Sequence, residues 1–181
     1  QPVSINPLGP DGKLYNPANA PYFLQAAVMI GTWTADNHIE WEISQPLTPD
    51  PQRTTKGLFE STLAQMADGR VLLVLRGSNQ NRFDLPGVKW YSVSHDGGLT
   101  WPEAQPWRYT DGEVFYSPSS ISLLFQHSNG KTYWFGNITP TNPHGNSPRY
   151  PLVVGEVDPT SLLLRRETVD IIEDKQPGDH P

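Results

Sequence analysis

The chain of 181 residues has no cysteine, which excludes disulfides, thiolate nucleophiles and cysteine-ligated metals together. It has no apolar run approaching the roughly 20 residues that a bilayer-spanning helix needs, so no membrane span is expected. Positive charge is scarce. Thirteen Lys and Arg stand against 19 Asp and Glu for a formal net charge of −6, which leaves no broad basic footprint for nucleic acid or an anionic membrane surface. An anionic ligand must therefore meet local arginines. The five histidines, His38, His95, His127, His144 and His180, lack the i, i+4 spacing of a helical zinc site and belong on loop surface. No motif calls for a metal or a cofactor. The start, Gln1-Pro2-Val3, has neither a Met nor a signal-peptide pattern and reads as already cut. The triplet Asn137-Ile138-Thr139 has the form of a glycosylation sequon, a pattern frequent by chance.

Turn formers and strand formers are abundant. Fifteen Gly and 19 Pro punctuate runs rich in Val, Ile, Leu, Phe, Tyr and Trp, and no segment sustains a helical period. The expected class is all-β. Leu58 to Met66 and Val71 to Arg76 flank Asp68-Gly69, a pair suited to the positive φ of a tight hairpin. Val88 to Ser94 forms a third strand, the turn His95 to Gly98 follows, and a fourth strand is expected near Gln105 to Tyr109.

The same grammar then repeats with Ser117 to Gln126, Asn129-Gly130, Lys131 to Asn137, a loop, Arg149 to Val157, Asp158 to Ser161 and Leu162 to Ile172. Asn129-Gly130 follows Asp68-Gly69 by 61 residues and Asp158 follows Asp96 by 62, so two independent turns keep one period. Ahead of both units, Ala26 to Thr34 and Ile39 to Ser44 read as the last two strands of a preceding unit. The expectation is about two and a half four-stranded antiparallel blades, at 26–44, 58–109 and 117–173, in one partial domain. Closed propellers need about 4 to 8 blades. The chain is therefore read as a segment of a longer protein, with self-association that completes a ring, or a β-sandwich, as alternatives.

Ser94-His95-Asp96-Gly97-Gly98-Leu99-Thr100-Trp101 matches the Asp-box pattern Ser-x-Asp-x-Gly-x-Thr-Trp. Its chemistry is that of a turn: a carboxylate that accepts backbone N–H groups, glycines that relieve steric cost, and a Trp that buries a large ring. Here the chain resembles the sialidase (neuraminidase) superfamily, six-bladed β-propellers with Asp-boxes between the third and fourth strands of a blade. The stretch from Glu60 through Asp68-Gly69 to Arg76 is similar to the sialidase hairpin that runs from a glutamate to an arginine. Gly145-Asn146-Ser147-Pro148-Arg149-Tyr150-Pro151-Leu152-Val153-Val154 resembles the segment that carries another arginine of the family's carboxylate-binding triad.

The resemblance implies an exo-α-sialidase-like glycoside hydrolase. Glu60 would assist a tyrosine nucleophile, Arg76 and Arg149 would bind a substrate carboxylate, and the partner would be a carbohydrate, a sialoside or other acidic glycan. It favours a secreted or periplasmic location and needs no cofactor. The family's first triad arginine, its acid/base aspartate and its tyrosine nucleophile match no residue of this chain; Tyr116 lies at the wrong place in the pattern. The residues themselves are compatible with this role, because a planar guanidinium offers paired donors to a carboxylate and antiparallel order brings Glu60, Arg76 and Arg149 to one end of the sheets. Other readings stand beside it. Glu60 and Arg76 also suit a plain cross-strand ion pair, Arg149 a solvated loop arginine, and the whole chain a non-catalytic Asp-box propeller that binds glycans or protein partners. Trp90, Trp101, Trp107, Tyr109, Phe115 and Tyr116 fit a sheet core better than a sugar platform.

Overall fold

The computed structural model describes residues 1–17 and 19–179, so His180 lies outside the described residues. The chain is all-β, built as three antiparallel sheets. The first has the order β1-β2-β3, with β1 Pro2–Ile5, β2 Gln25–Trp33 and β3 Ile39–Ile43. The second is the meander β4 Phe59–Gln65, β5 Val71–Arg76, β6 Lys89–Ser94 and β7 Gln105–Pro106. The third is the meander β8 Leu123–Gln126, β9 Thr132–Asn137, β10 Leu152–Val157 and β11 Asp170–Glu173. No helix among the described residues is long and apolar enough to cross a membrane.

β5 holds the three sheets together. Its run Val71-Leu72-Leu73-Val74-Leu75 is buried on both faces, which is why it reads as continuously apolar and not as alternating. Val71, Leu73 and Leu75 meet Ala26, Val28 and Leu47 of the first sheet's side together with Trp90 and Trp101. Leu72 and Val74 meet Leu124, Trp134, Val153 and Val157 of the third sheet, with Trp107, Tyr109 and Phe115 between. The first strands of the sheets neighbour one another, β1 against β4 and β4 against β8. The Thr62 hydroxyl accepts the Leu124 N–H at 2.9 Å across the second of these seams.

Several strands differ from the expectation. β1 is separated from β2 by 19 residues of loop whose Asp11-Gly12 turn closes a bridge of its own between Leu8 and Leu14, so pairing alone reveals it. Ser117 to Ser120 is not strand: the hydroxyls there bond across the structure, and Pro118 lacks an N–H for a ladder. The third strand of the last sheet opens at Leu152 and not at Arg149, because prolines at 148 and 151 interrupt the ladder. Leu162 and Leu164 are fully buried, Leu164 bridges to Val157 and Tyr109, and a 3₁₀ turn at Arg166–Thr168 delays β11 to Asp170. The fourth strand of the middle sheet shrinks to Gln105–Pro106, after which the Trp107 N–H still donates to the Lys89 carbonyl. Asn137 is 7% exposed and its side-chain amide donates to the Arg149 and Pro151 carbonyls, so the sequon is closed to glycan attachment in the folded chain.

The turns that repeat in sequence repeat in chemistry. Asp96 Oδ1 accepts the Ser94 hydroxyl at 2.6 Å and the Thr100 N–H at 3.0 Å, while Oδ2 accepts the Thr100 hydroxyl. Asp158 Oδ1 accepts the Ser161 N–H at 2.8 Å and Oδ2 accepts Arg165 Nη2 at 2.8 Å. The Ser94 and Thr100 hydroxyls hold the Asp96 carboxyl far below the usual carboxylate range, and the Ser161 N–H with Arg165 holds Asp158 at about 2. Both folded values lie below the unfolded one, so each carboxylate stabilises the fold above the unfolded pKa and loses that effect as pH falls toward its folded value. Asp96→Asn and Asp158→Asn are thus expected to lower the thermal midpoint at pH 7, with the gap to the parent narrowing for Asp158 between about pH 4 and pH 2. A gap for Asp158→Asn that stays constant through that window in acid-range thermal scans would show that the Asp158 carboxylate does not anchor its turn.

Candidate functional site

The Asp turns and the candidate site lie at opposite ends of the sheets. β4 and β6 begin, and β5 ends, at one level, so Phe59, Arg76 and Lys89 are direct cross-strand partners. Two cations opposite one another on a ladder repel, and something local must offset that. Four elements converge on the pair.

The first is a bulge. β4 shifts register between Phe59 and Thr62, and Glu60 adopts φ +41°, a left-handed conformation costly for a residue with a Cβ. This turns the Glu60 carboxylate onto Arg76, with which it forms an ion pair. The Glu60 side chain is 40% exposed and that of Arg76 8%, so the acid faces open space and the guanidinium sits behind it. Arg76 lies 4.6 Å from the centre of the Phe59 ring. Its Nε donates to Ser119 Oγ at 3.0 Å and its Nη2 to Asn146 Oδ1 at 3.1 Å.

The second element is the loop that ends in Gly57. Lys56 is 5% exposed, and its ammonium stands 5.1 Å from the centre of the Tyr22 ring, which meets Phe59 edge to face at 5.4 Å. Lys56 and Arg76 are thus seated on two touching aromatic rings. Burial lowers the Lys56 pKa, the positive Arg76 lowers it further, and Glu60 opposes both.

The third element is the Ser117–Ser120 segment, and the fourth is the loop to β10. Lys89 is wholly buried, and its Nζ donates to the Ser120 carbonyl and, at 3.3 Å, to the Pro118 carbonyl. Burial pulls its pKa down to about 7, with Arg76 and Arg149 adding to the shift and Glu60 opposing it. Arg149 is exposed, and among the described residues its guanidinium has neither an ion pair nor a hydrogen bond. It lines a cavity of about 370 Å³ with Tyr150, Leu152, Glu173, Asp174, Lys175 and Asp179. A second cavity of about 400 Å³ adjoins it through Tyr150, lined by Thr141, Asn142, Pro143, His144, Ser147 and Pro148.

The structure therefore brings Glu60 and Arg76 into contact and joins Arg149 to them indirectly, through Asn146 and through its electrostatic effect on Lys89. Lys56 and Lys89 are members of the cluster that sequence reasoning missed. One signal was available for Lys89: it interrupts the apolar run Val88–Trp90 at a position that hairpin register sets against Arg76. Nothing in the sequence marks Lys56, which a loop delivers. Lys56, Arg76 and Lys89 share the single carboxylate of Glu60, whereas Arg149 shares its cavity with Glu173, Asp174, Lys175 and Asp179, so positive charge is in excess on the Arg76 side of the mouth where Glu60 and Arg149 are exposed.

The other sequence candidates are accounted for. Trp90, Trp101, Trp107, Tyr109 and Phe115 are core, between 0% and 8% exposed, whereas Tyr116 is 40% exposed. His38, His95, His127 and His144 are exposed, and His144 stacks on Phe83 at 4.4 Å. Among the described residues no group of three or more His, Asp or Glu is gathered as a metal site would require. The chain matches no protein-family model and no curated protein.

Proposed function

We propose that this chain is part of a sialidase-like β-propeller and supplies one wall of a glycoside hydrolase site for terminal sialic acid or a related acidic sugar. The observation that carries the reading is the exposed Glu60 carboxylate paired with Arg76, beside a free Arg149 and two buried lysines. Support for the propeller comes from three successive antiparallel sheets whose first strands neighbour one another, the second and third of which carry matching Asp turns at the end away from the site. In this reading Arg149 and the two N–H groups of Arg76 that are not already engaged receive the sugar carboxylate. Glu60 acts as base toward a tyrosine supplied from elsewhere in the whole protein, on a path through a covalent glycosyl intermediate with retained configuration.

The isolated chain is expected to bind N-acetylneuraminic acid without turning over a sialoside. Arg149→Ala should weaken that binding by about tenfold or more, since a charge-assisted hydrogen bond contributes about 1.5–3 kcal/mol. Titration calorimetry checks this, and a folded chain that shows no heat with millimolar sugar would sink the reading. One observation favours a non-catalytic module that binds glycans or protein partners: Arg76 is 7% exposed and already donates to three protein groups. The two readings part on Glu60. In the whole protein Glu60→Ala should slow hydrolysis of an α-sialoside by about 100-fold or more if Glu60 serves as the base, and leave binding nearly intact in either case.

A further inference from the structure

A lysine with no exposed surface needs a reason, because burying an ammonium is costly unless it is fully hydrogen-bonded. The bonds of Lys89 lead to both arginines. Its Nζ fixes the Pro118 and Ser120 carbonyls, and the residue between them, Ser119, receives Arg76 Nε at 3.0 Å. The Ser120 hydroxyl, 3.5 Å from Nζ, donates to Asn137 Oδ1 at 2.9 Å. The Asn137 amide in turn donates to the Arg149 carbonyl at 2.8 Å and the Pro151 carbonyl at 3.1 Å. One ammonium thus ties β6 of the middle sheet to the segment under Arg76 and to the loop that presents Arg149.

We propose that Lys89 is the positioning residue of this site, that it sets the separation of Arg76 and Arg149 through Ser119, Ser120 and Asn137, and that anion binding there is coupled to its protonation. The inference rests on the acidic-sugar reading only for the identity of the anion. The charged groups that bear on Lys89 are Arg76 of β5, Glu60 of β4 and Arg149 of the loop before β10. The Ser117–Ser120 segment and Asn137 contribute no ionisable side chain. Burial, together with two arginines against one carboxylate, keeps the ammonium poised to lose its proton near neutral pH. An incoming carboxylate reverses that balance, so the complex holds the proton more tightly than the free protein. Affinity then falls as pH rises from 6 to 8, and binding at pH 7.5 takes up a fraction of a proton.

The test has a ligand-free arm and a ligand arm, both in a His144→Gln background, which removes the imidazole that lines the adjoining cavity. In the ligand-free arm, NMR follows the arginine Nε–H resonances against pH. The Arg76 signal should move with a midpoint near neutrality, and Lys89→Met should abolish the movement. In the ligand arm, calorimetry with N-acetylneuraminic acid in buffers of different ionisation enthalpy reads affinity and proton uptake. Lys89→Met should weaken binding about tenfold at pH 6 and remove the proton uptake; Ser120→Ala, which leaves the charge in place, should weaken binding and keep it. A folded Lys89→Met with parent affinity and parent pH profile would overturn the inference. Should that variant fail to fold, an Arg76 signal in the parent that does not move between pH 6 and 8 would overturn it equally. A moving Arg76 signal with no sugar bound would leave Lys89 as the positioning group and remove only the acidic-sugar reading.

Discussion

Trp134→Ala is expected to cost about 3–5 kcal/mol of unfolding free energy, the range for removing a large aromatic side chain from a packed core. Trp134 has no exposed surface and lies where the middle and last sheets meet, with Trp107 at 5.4 Å and Phe115 at 5.7 Å between ring centres. Its ring covers Gly136, whose missing Cβ would otherwise stand 2.2 Å from it. The cavity left behind cannot collapse easily, because β9 is held on both sides by β8 and β10. The two core tryptophans should also differ from one another. Trp107 donates its indole N–H to the Leu162 carbonyl at 3.0 Å, whereas the indole N–H of Trp134 is buried with no partner in the described structure. Trp107→Phe therefore orphans a buried carbonyl and Trp134→Phe relieves an orphan, so the second should cost less by about 1 kcal/mol. Urea denaturation of the three variants measures this, and an equal cost for both Phe variants would show that the Trp134 N–H is satisfied by water.

Gly57→Ala is expected to be nearly as damaging, at about 2–4 kcal/mol, through overpacking and backbone strain acting together. Gly57 has φ +76°, and a Cβ there would lie 1.9 Å from the Leu24 carbonyl oxygen. That oxygen belongs to backbone and cannot swing aside as a side chain would. The Leu58 N–H donates to the same carbonyl at 2.9 Å, and the Leu24 N–H donates to the Lys56 carbonyl at 3.0 Å. The clash thus falls on the bridge that fixes Lys56 and leads into Phe59 and Glu60. A variant that still folds should show weakened anion binding as well as a lowered midpoint. Thermal unfolding with calorimetry on the same sample checks both, and a loss of stability with unchanged binding would place Lys56 outside the site.

The pairing of an exposed acid with a buried arginine behind it explains how one cluster serves both stability and recognition. Arg76 is held by Ser119, Asn146, Glu60 and the Phe59 ring, so its orientation is fixed before any ligand arrives. Prior fixation lowers the entropy lost on binding. Arg149 is held through its backbone and leaves its guanidinium unused.

Much of the sheet structure was legible because hairpins are local. Asp68-Gly69 and Asn129-Gly130 sit between their strands, and Val71 to Arg76 was bounded by residues that speak for themselves. The Asp96 and Asp158 turns were readable for the same reason, since the groups that satisfy each carboxylate lie within seven residues of it. The ends of the last sheet were not. Ser117 to Ser120 runs straight into the strand-forming stretch that ends at Gln126, but distant partners claim its hydroxyls; Leu162 to Leu164 had the pattern of a strand, but their side chains fill the seam between sheets.

Taken alone, the sequence determined the all-β class, the period of the turns and the end of the sheets at which Glu60 and Arg76 meet, because hydrogen-bonded hairpins and side-chain alternation act over a few residues. Only the tertiary structure decided that β1 joins the first sheet, that Lys56 and Lys89 enter the cluster, and that Arg149 is tethered through Asn137. Those contacts join residues far apart along the chain. They form because a buried charge must find its partners wherever the packed sheets supply them, and no local pattern encodes which partners those will be.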